Sequence, residues 1–217
     1  MTALNPNPVE RTAGRAVRTG FRALVLCFGA LVLARALSEG TYDLAFANLA
    51  LDLSGLVTTV GLVYFVGYGV EVIASVVAGP LLDRHSPLRA VIGAYGVKIL
   101  LFGLIGLGSS FLATHLWTIV LAAALVDLVH HVGDMALFVL LPRVLTPGTL
   151  VRVQGIGASV RAAGEVVSPL AAGAVLALLP GARALLAAAV FQVLALFLLF
   201  GLLAVIRRGR SGEGAGA

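Results

Sequence analysis

Ionisable residues recur in this chain inside stretches that are otherwise apolar, and they do so at helical spacing. Arg35 and Glu39 stand four residues apart, on one helix face, with Asp43 one turn further on. Tyr64, Tyr68, Glu71 and Ser75 share a second face, and Asp127, His130, His131 and Asp134 follow a third. Arg161 and Glu165 repeat the i,i+4 pairing of Arg35 and Glu39. Such groups can form ion pairs or carry protons, and histidine does the latter near neutral pH. The two i,i+4 pairs fit a packing role as well as a functional one. The Asp127, His131 and Asp134 stripe favours function, because one helix cannot neutralise it internally. Lys98 stands alone in its stretch and has to pair, with Glu71 as the expected partner, or snorkel to the surface. A metal site is not expected: Cys27 is the single cysteine, and the adjacent His130 and His131 point to different sides of a helix. Nothing in the pattern predicts a cofactor or catalytic residues, so the chain reads as a non-enzyme.

The elements that carry these residues are membrane helices. Of 217 residues 60% are hydrophobic and only 12% charged, too few to cover the surface of a soluble domain. The apolar residues form six long blocks, at about 22–49, 56–82, 88–107, 116–141, 151–179 and 184–206. Each exceeds or matches the ~20 residues that a helix needs to cross a hydrocarbon core. The 26 glycines suit helices that approach one another closely in lipid. Residues 1–21 form a polar N-terminal segment without a signal-peptide pattern, and 207–217 read as a low-complexity, disordered tail. The expected fold class is thus an all-α membrane protein with one transmembrane domain over 22–206.

Eleven of the fifteen basic residues fall on one side of such a topology: Arg11, Arg15, Arg18, Arg22, Arg84, Arg89, Arg143, Arg152, Arg207, Arg208 and Arg210. The positive-inside rule then puts both termini in the cytoplasm and the protein in the cell membrane. The same distribution argues against nucleic acid as partner, since the charges mark block ends rather than one binding face. Helical rise places Arg35, Glu71, His131 and Arg161 roughly 15–20 Å from the cytoplasmic edge. Spans one, two, four and five are expected to share a polar interior there, with spans three and six mostly facing lipid.

Between spans two and three the chain reads Gly79-Pro-Leu-Leu-Asp83-Arg84-His-Ser86-Pro-Leu-Arg89. This resembles the signature loop of the major facilitator superfamily, Gly-x-Leu-x-Asp-Arg-x-Gly followed by basic residues. Gly79, Asp83 and Arg84 match; Ser86 replaces the later glycine and the basic cluster is reduced to Arg89. Span five holds Gly155, Gly164, Ser168-Pro169 and Ala172-Gly173. That series is similar to a motif of drug–proton antiporters in the superfamily, with Ser168 and Ala172 in place of glycines. The arginine of the span-four motif has no counterpart, its position being Val129, so that role is not carried over.

The resemblance covers nearly the whole chain as the N-terminal six-helix half of a twelve-helix transporter. It implies a major-facilitator-like half-bundle that exports small organic molecules by proton antiport. The missing half implies a homodimer or a separately encoded partner. A non-transporting scaffold, or a truncated remnant, is the competing expectation. An intramembrane aspartyl protease, suggested by Tyr42-Asp43 and Gly133-Asp134, is disfavoured because His131 stands where glycine is needed and no Pro-Ala-Leu segment occurs.

Overall fold

The structure, a computed structural model, describes residues 8–84, 86–108 and 115–214, with side chains described from Gly20 to Arg208 apart from Val77, Leu81 and Asp83. Six long helices account for nearly all of them: α1 Pro8–Ser54, α2 Val57–Arg84, α3 Pro87–Leu107, α4 Leu116–Val144, α5 Pro147–Leu178 and α6 Ala184–Gly214, with a single 3₁₀ turn at Gly181–Arg183. All six are long and apolar enough to cross a membrane, so the chain is a multi-pass α-helical membrane protein. The expected blocks each become one helix. α6 continues past the expected end at 206 as far as Gly214, and residues 1–7 and 215–217 of the expected terminal segments lie outside the described residues.

The breaks between helices have local causes. α1 stops at Gly55, whose φ of +67° is left-handed and costs a glycine nothing. There Ser54 Oγ accepts the Leu56 N–H at 3.1 Å and meets Thr59 Oγ1 at 2.6 Å, tying the turn to the next helix. Pro87 and Pro147 open α3 and α5, where a missing N–H is harmless. Gly181, φ +64°, turns the chain into α6.

With six spans, the start of α1, the close of α6, the ends of α2 and α4 and the starts of α3 and α5 lie at one end of the bundle, here the terminal end; the opposite helix ends form the far end. α1 packs along α6 on one side and α5 on the other, and α4 packs along α3 and α2. α3 against α6 closes the back of the bundle. α2 and α5 flank the seam between α1 and α4 and barely touch α3 and α6 between them, which leaves an open front.

The core is two apolar clusters stacked along the bundle axis. Leu24, Phe28, Leu31, Leu82, Val91, Leu140, Leu199 and Leu202 fill the terminal end. Tyr42, Phe46, Val63, Phe102, Ile119, Val120 and Leu185 fill the far end. At the junction each of the four central helices contributes a buried polar side chain: Ser38 from α1, Lys98 from α3, His130 from α4 and Gln192 from α6. Ser38 Oγ donates to the Ala188 carbonyl at 3.0 Å and lies 3.4 Å from Gln192 Oε1.

This corrects the expectation for spans three and six. Their outer faces are exposed, as Leu100, Leu104, Phe197 and Phe200 show, but their inner faces supply about a third of the core residues and two of the four side chains of its polar layer, Lys98 and Gln192. A leucine that packs on protein looks, in sequence, like one that packs on lipid, because the two surroundings are equally apolar.

A polar site between helices 1, 4 and 5

Asp134 of α4 is the hub of the ionisable residues. Arg35 of α1 pairs directly with its Oδ1. Arg161 Nη1 of α5 lies 3.8 Å from Oδ2, and His130 Nε2, one turn back on α4, lies at the same distance. Glu39 Oε2 approaches His130 Nε2 at 3.6 Å, and Arg161 Nε approaches Glu165 at 3.6 Å. Of the two i,i+4 pairs expected from spacing, Arg161–Glu165 is therefore present. Arg35–Glu39 is not: Arg35 reaches across to α4, and Glu39 turns to His130.

Lys98 also departs from expectation. Its Nζ meets His130 Nδ1 at 3.0 Å and sits 4.6 Å from the centre of the Tyr42 ring and 5.7 Å from that of Phe102. It is 2% exposed, so it neither snorkels nor reaches Glu71. The reason is its position on the inner face of α3, which packs against α4 and α6 rather than α2.

Two clefts open from this cluster toward the front. The larger, about 370 Å³, lies toward the terminal end and is lined by Phe28, Val32, Leu137, Phe138, Gln154 and Ala158 with Arg35, Glu39, Asp134 and Arg161 at its floor. The second, about 230 Å³, lies toward the far end between α1, α2 and α5, and includes Asp43, Tyr64, Glu165, Ser168 and Pro169. Glu39 and Arg161 border both, so the ion cluster stands as a partition between them. Asp43 and Asp134 open into different clefts, and two carboxylates on opposite sides of a partition cannot share one catalytic site.

The remaining expected residues spread around this centre. Asp127 lies one turn toward the far end, hydrogen-bonded to Tyr42 and seated against Gly67 of α2, where a Cβ would collide with it. Glu71 of α2 is half-buried and interacts electrostatically with His131. The Nε2 of His131 is buried without a hydrogen-bond partner, so His130 rather than His131 joins the network. In the α2–α3 turn Gly79 has open space around it and Arg84 and Arg89 are exposed; the Asp83 side chain lies outside the described residues.

The span-five motif divides. Gly164 and Ser168 pack on Ala36 and Gly40 of α1 so closely that a Cβ on either glycine would clash. Gly155 and Gly173 face open space, and Pro169 is exposed. The glycine that completes the close-packed face is Gly157, against Phe28.

Among the described residues no three His, Cys, Asp or Glu side chains converge on a point that could hold a metal ion. Lys98 and Tyr42 are the members that spacing alone did not place in the centre, and of the two adjacent histidines the expected site took His131 where the structure engages His130. The signals were present: Lys98 is the single charge between residues 90 and 107, and His130 stands four residues before Asp134. Compared with family models, with curated proteins and with solved structures, the chain matches none.

Proposed function

We propose that this chain is one half of a secondary active transporter, built like the six-helix halves of the major facilitator superfamily and completed by a second copy or a separately encoded half. In this reading both termini are cytoplasmic, and the protein exports small organic molecules in exchange for protons across the cell membrane.

The observation that carries the reading is the exposure of Arg161 and Glu165 on the open front of the bundle. Their side chains are 55% and 71% exposed. On α5 they stand roughly 20–27 Å from either helix end at 1.5 Å per residue, deep in the hydrocarbon core. Charges at that depth are costly in lipid and persist where they face a partner or a wet cavity. A facing six-helix half in the same orientation would enclose both clefts and put the ion cluster at the midplane, where transporters bind their cargo.

The charge balance supports proton coupling. Six carboxylates lie in the interior of the spans (Glu39, Asp43, Glu71, Asp127, Asp134 and Glu165) against three basic side chains there, Arg35, Lys98 and Arg161. A low-dielectric interior does not hold three uncompensated anions, so protons or a cationic cargo balance them. The apolar walls of the larger cleft suit a small organic molecule with an apolar body and a polar end.

Native mass spectrometry of the protein in nanodiscs tests the architecture, and efflux of ethidium from proteoliposomes under an imposed proton gradient tests the activity. A dimer with proton-driven efflux, abolished by Asp134→Asn, is the expected result. A monomer inactive with ethidium, organic anions and neutral lipophiles alike would overturn the homodimeric transporter.

A further inference from the structure

Lys98 is buried where a lysine is expensive, yet it has no carboxylate within ion-pair distance among the described residues. Its ammonium is held by an imidazole nitrogen and two aromatic faces. A lysine retained only to fix packing would be expected to sit on a carboxylate, and four stand nearby: Glu39 and Asp43 on α1, Asp127 and Asp134 on α4. The partner it has is the one residue type that can accept a proton on one edge while releasing one from the other.

His130 presents its two edges to opposite kinds of group. Nδ1 faces the Lys98 amine at 3.0 Å; Nε2 faces Glu39 at 3.6 Å and Asp134 at 3.8 Å. An ammonium can only donate, so with Lys98 charged Nδ1 accepts and the ring hydrogen is on Nε2, toward the carboxylates. A neutral amine reverses the bond: Nδ1–H donates to the nitrogen lone pair. Both protonation states fit one arrangement of heavy atoms, which is the geometric requirement for transfer without rearrangement.

We propose that Lys98 and His130 are a proton-transfer pair that joins the carboxylates of the far-end cleft to those of the terminal-end cleft, which deepens the transport reading and rests on it for its direction. In the step, an Nζ–H bond breaks as Nδ1–H forms, and Nε2–H breaks as a bond to Glu39 Oε2 forms. The lysine is left as a neutral amine and Glu39 as a neutral acid. His130 stays neutral, its hydrogen moved from Nε2 to Nδ1. The Glu39 leg is longer than a hydrogen bond, so the carboxylate closes by about 0.5 Å for transfer. Lys98 is then recharged from the far side, where Tyr42 lies between it and the Asp127 that the tyrosine hydroxyl binds. Recharging sets Nζ–H against Nδ1–H, so the ring must return to its Nε2–H tautomer, losing the Nδ1 proton and gaining one at Nε2, before a second proton passes. The pair therefore passes one proton per reversal instead of acting as an open wire.

The charged surroundings of the pair come from every helix but α6. α1 supplies Arg35, Glu39, Tyr42 and Asp43; α4 supplies Asp127, His131 and Asp134; α5 supplies Arg161. α2 brings Glu71 beside Asp127, and Tyr95 of α3 lies 6.0 Å from the Arg35 guanidinium. Between residues 184 and 206 α6 has no ionisable residue.

The test is nitrogen NMR of histidine-labelled protein in nanodiscs, with the His130 signals assigned by their loss in His130→Asn. The wild type should show the Nε2–H form at low pH and a shift to Nδ1–H as pH rises. Lys98→Arg keeps the charge but cannot release its proton, and should lock His130 as Nε2–H from pH 5 to pH 10. Lys98→Met should remove the pH-linked exchange altogether. A His130 tautomer that ignores both substitutions, or a Lys98→Arg protein that still exchanges like the wild type, overturns the pair. If Lys98→Met fails to fold, Lys98→Arg decides alone. The tautomer exchange is read without any cargo. A wild type that shows it but moves no protons in pyranine-loaded liposomes therefore upholds the pair and overturns the homodimeric transport reading.

Discussion

Arg35 of α1 pairs with Asp134 of α4 and leaves Glu39, one turn along its own helix, to His130. Helical spacing offers a pairing, and the neighbouring helix decides whether it is taken. The result ties α1 to α4 at the floor of the larger cleft. Arg35 and Asp134 are 13% and 23% exposed, so little water competes for either.

Asp134→Asn leaves two arginines without their shared counter-ion. Breaking a largely buried pair by removing one member costs about 3 kcal/mol, which should appear as a lowered unfolding midpoint in detergent. Arg35→Gln combined with Asp134→Asn should recover part of that loss. Additive effects in the double variant would show that the two side chains act independently.

Gly164→Val should force α1 and α5 apart, because its new Cβ would meet Ala36. Overpacking of this kind costs about 1–3 kcal/mol. Gly155→Val and Gly173→Val, where nothing stands in the way, should be close to neutral. Equal thermal shifts in all three would mean that the residues act through backbone flexibility instead of packing.

Cysteine crosslinking in native membranes locates the facing half. In a Cys27→Ser background, Tyr68→Cys on α2, 65% exposed at the front, should form disulfide dimers on oxidation. Phe197→Cys on the back of α6, 69% exposed, should not. Dimers at Phe197 and none at Tyr68 would place the second copy on the wrong side for a shared cleft.

Gln192→Met removes a weak interhelical contact and also a buried amide nitrogen that has no hydrogen-bond partner. Interhelical hydrogen bonds in membranes average about 0.6 kcal/mol, and deleting the unpaired Nε2 offsets much of that. The substitution should change the unfolding midpoint by less than the error on Asp134→Asn. A loss as large as that of Asp134→Asn would show that Gln192 holds α6 to α1 far more strongly than its single 3.4 Å contact implies.

The six spans were legible because lipid demands long apolar runs, and the turns at Gly55, Pro87, Pro147 and Gly181 carry the residues that end or start helices. Of the four residues whose depth pointed to the midplane, the fold gathers Arg35 and Arg161 on Asp134, while Glu71 and His131 stay outside the ion network. Apart from Arg161–Glu165, the partners were not legible. Depth follows from counting residues along one helix, whereas the Lys98–His130 contact depends on which face of α3 turns inward. In a chain whose lipid and protein neighbours are equally apolar, α3 and α6 give almost no pattern from which to read that face.

Ser38 on the first span is held by Ala188 and lies beside Gln192 on the last, 150 residues later in the chain. During synthesis at the membrane, α1 is therefore in place long before its principal neighbour exists. Arg35 and Glu39 find Asp134 and His130 once α4 is made, but the Ser38 contacts wait for α6. A nascent chain stopped before residue 184 would therefore leave the Ser38 side of α1 without the helix that covers it.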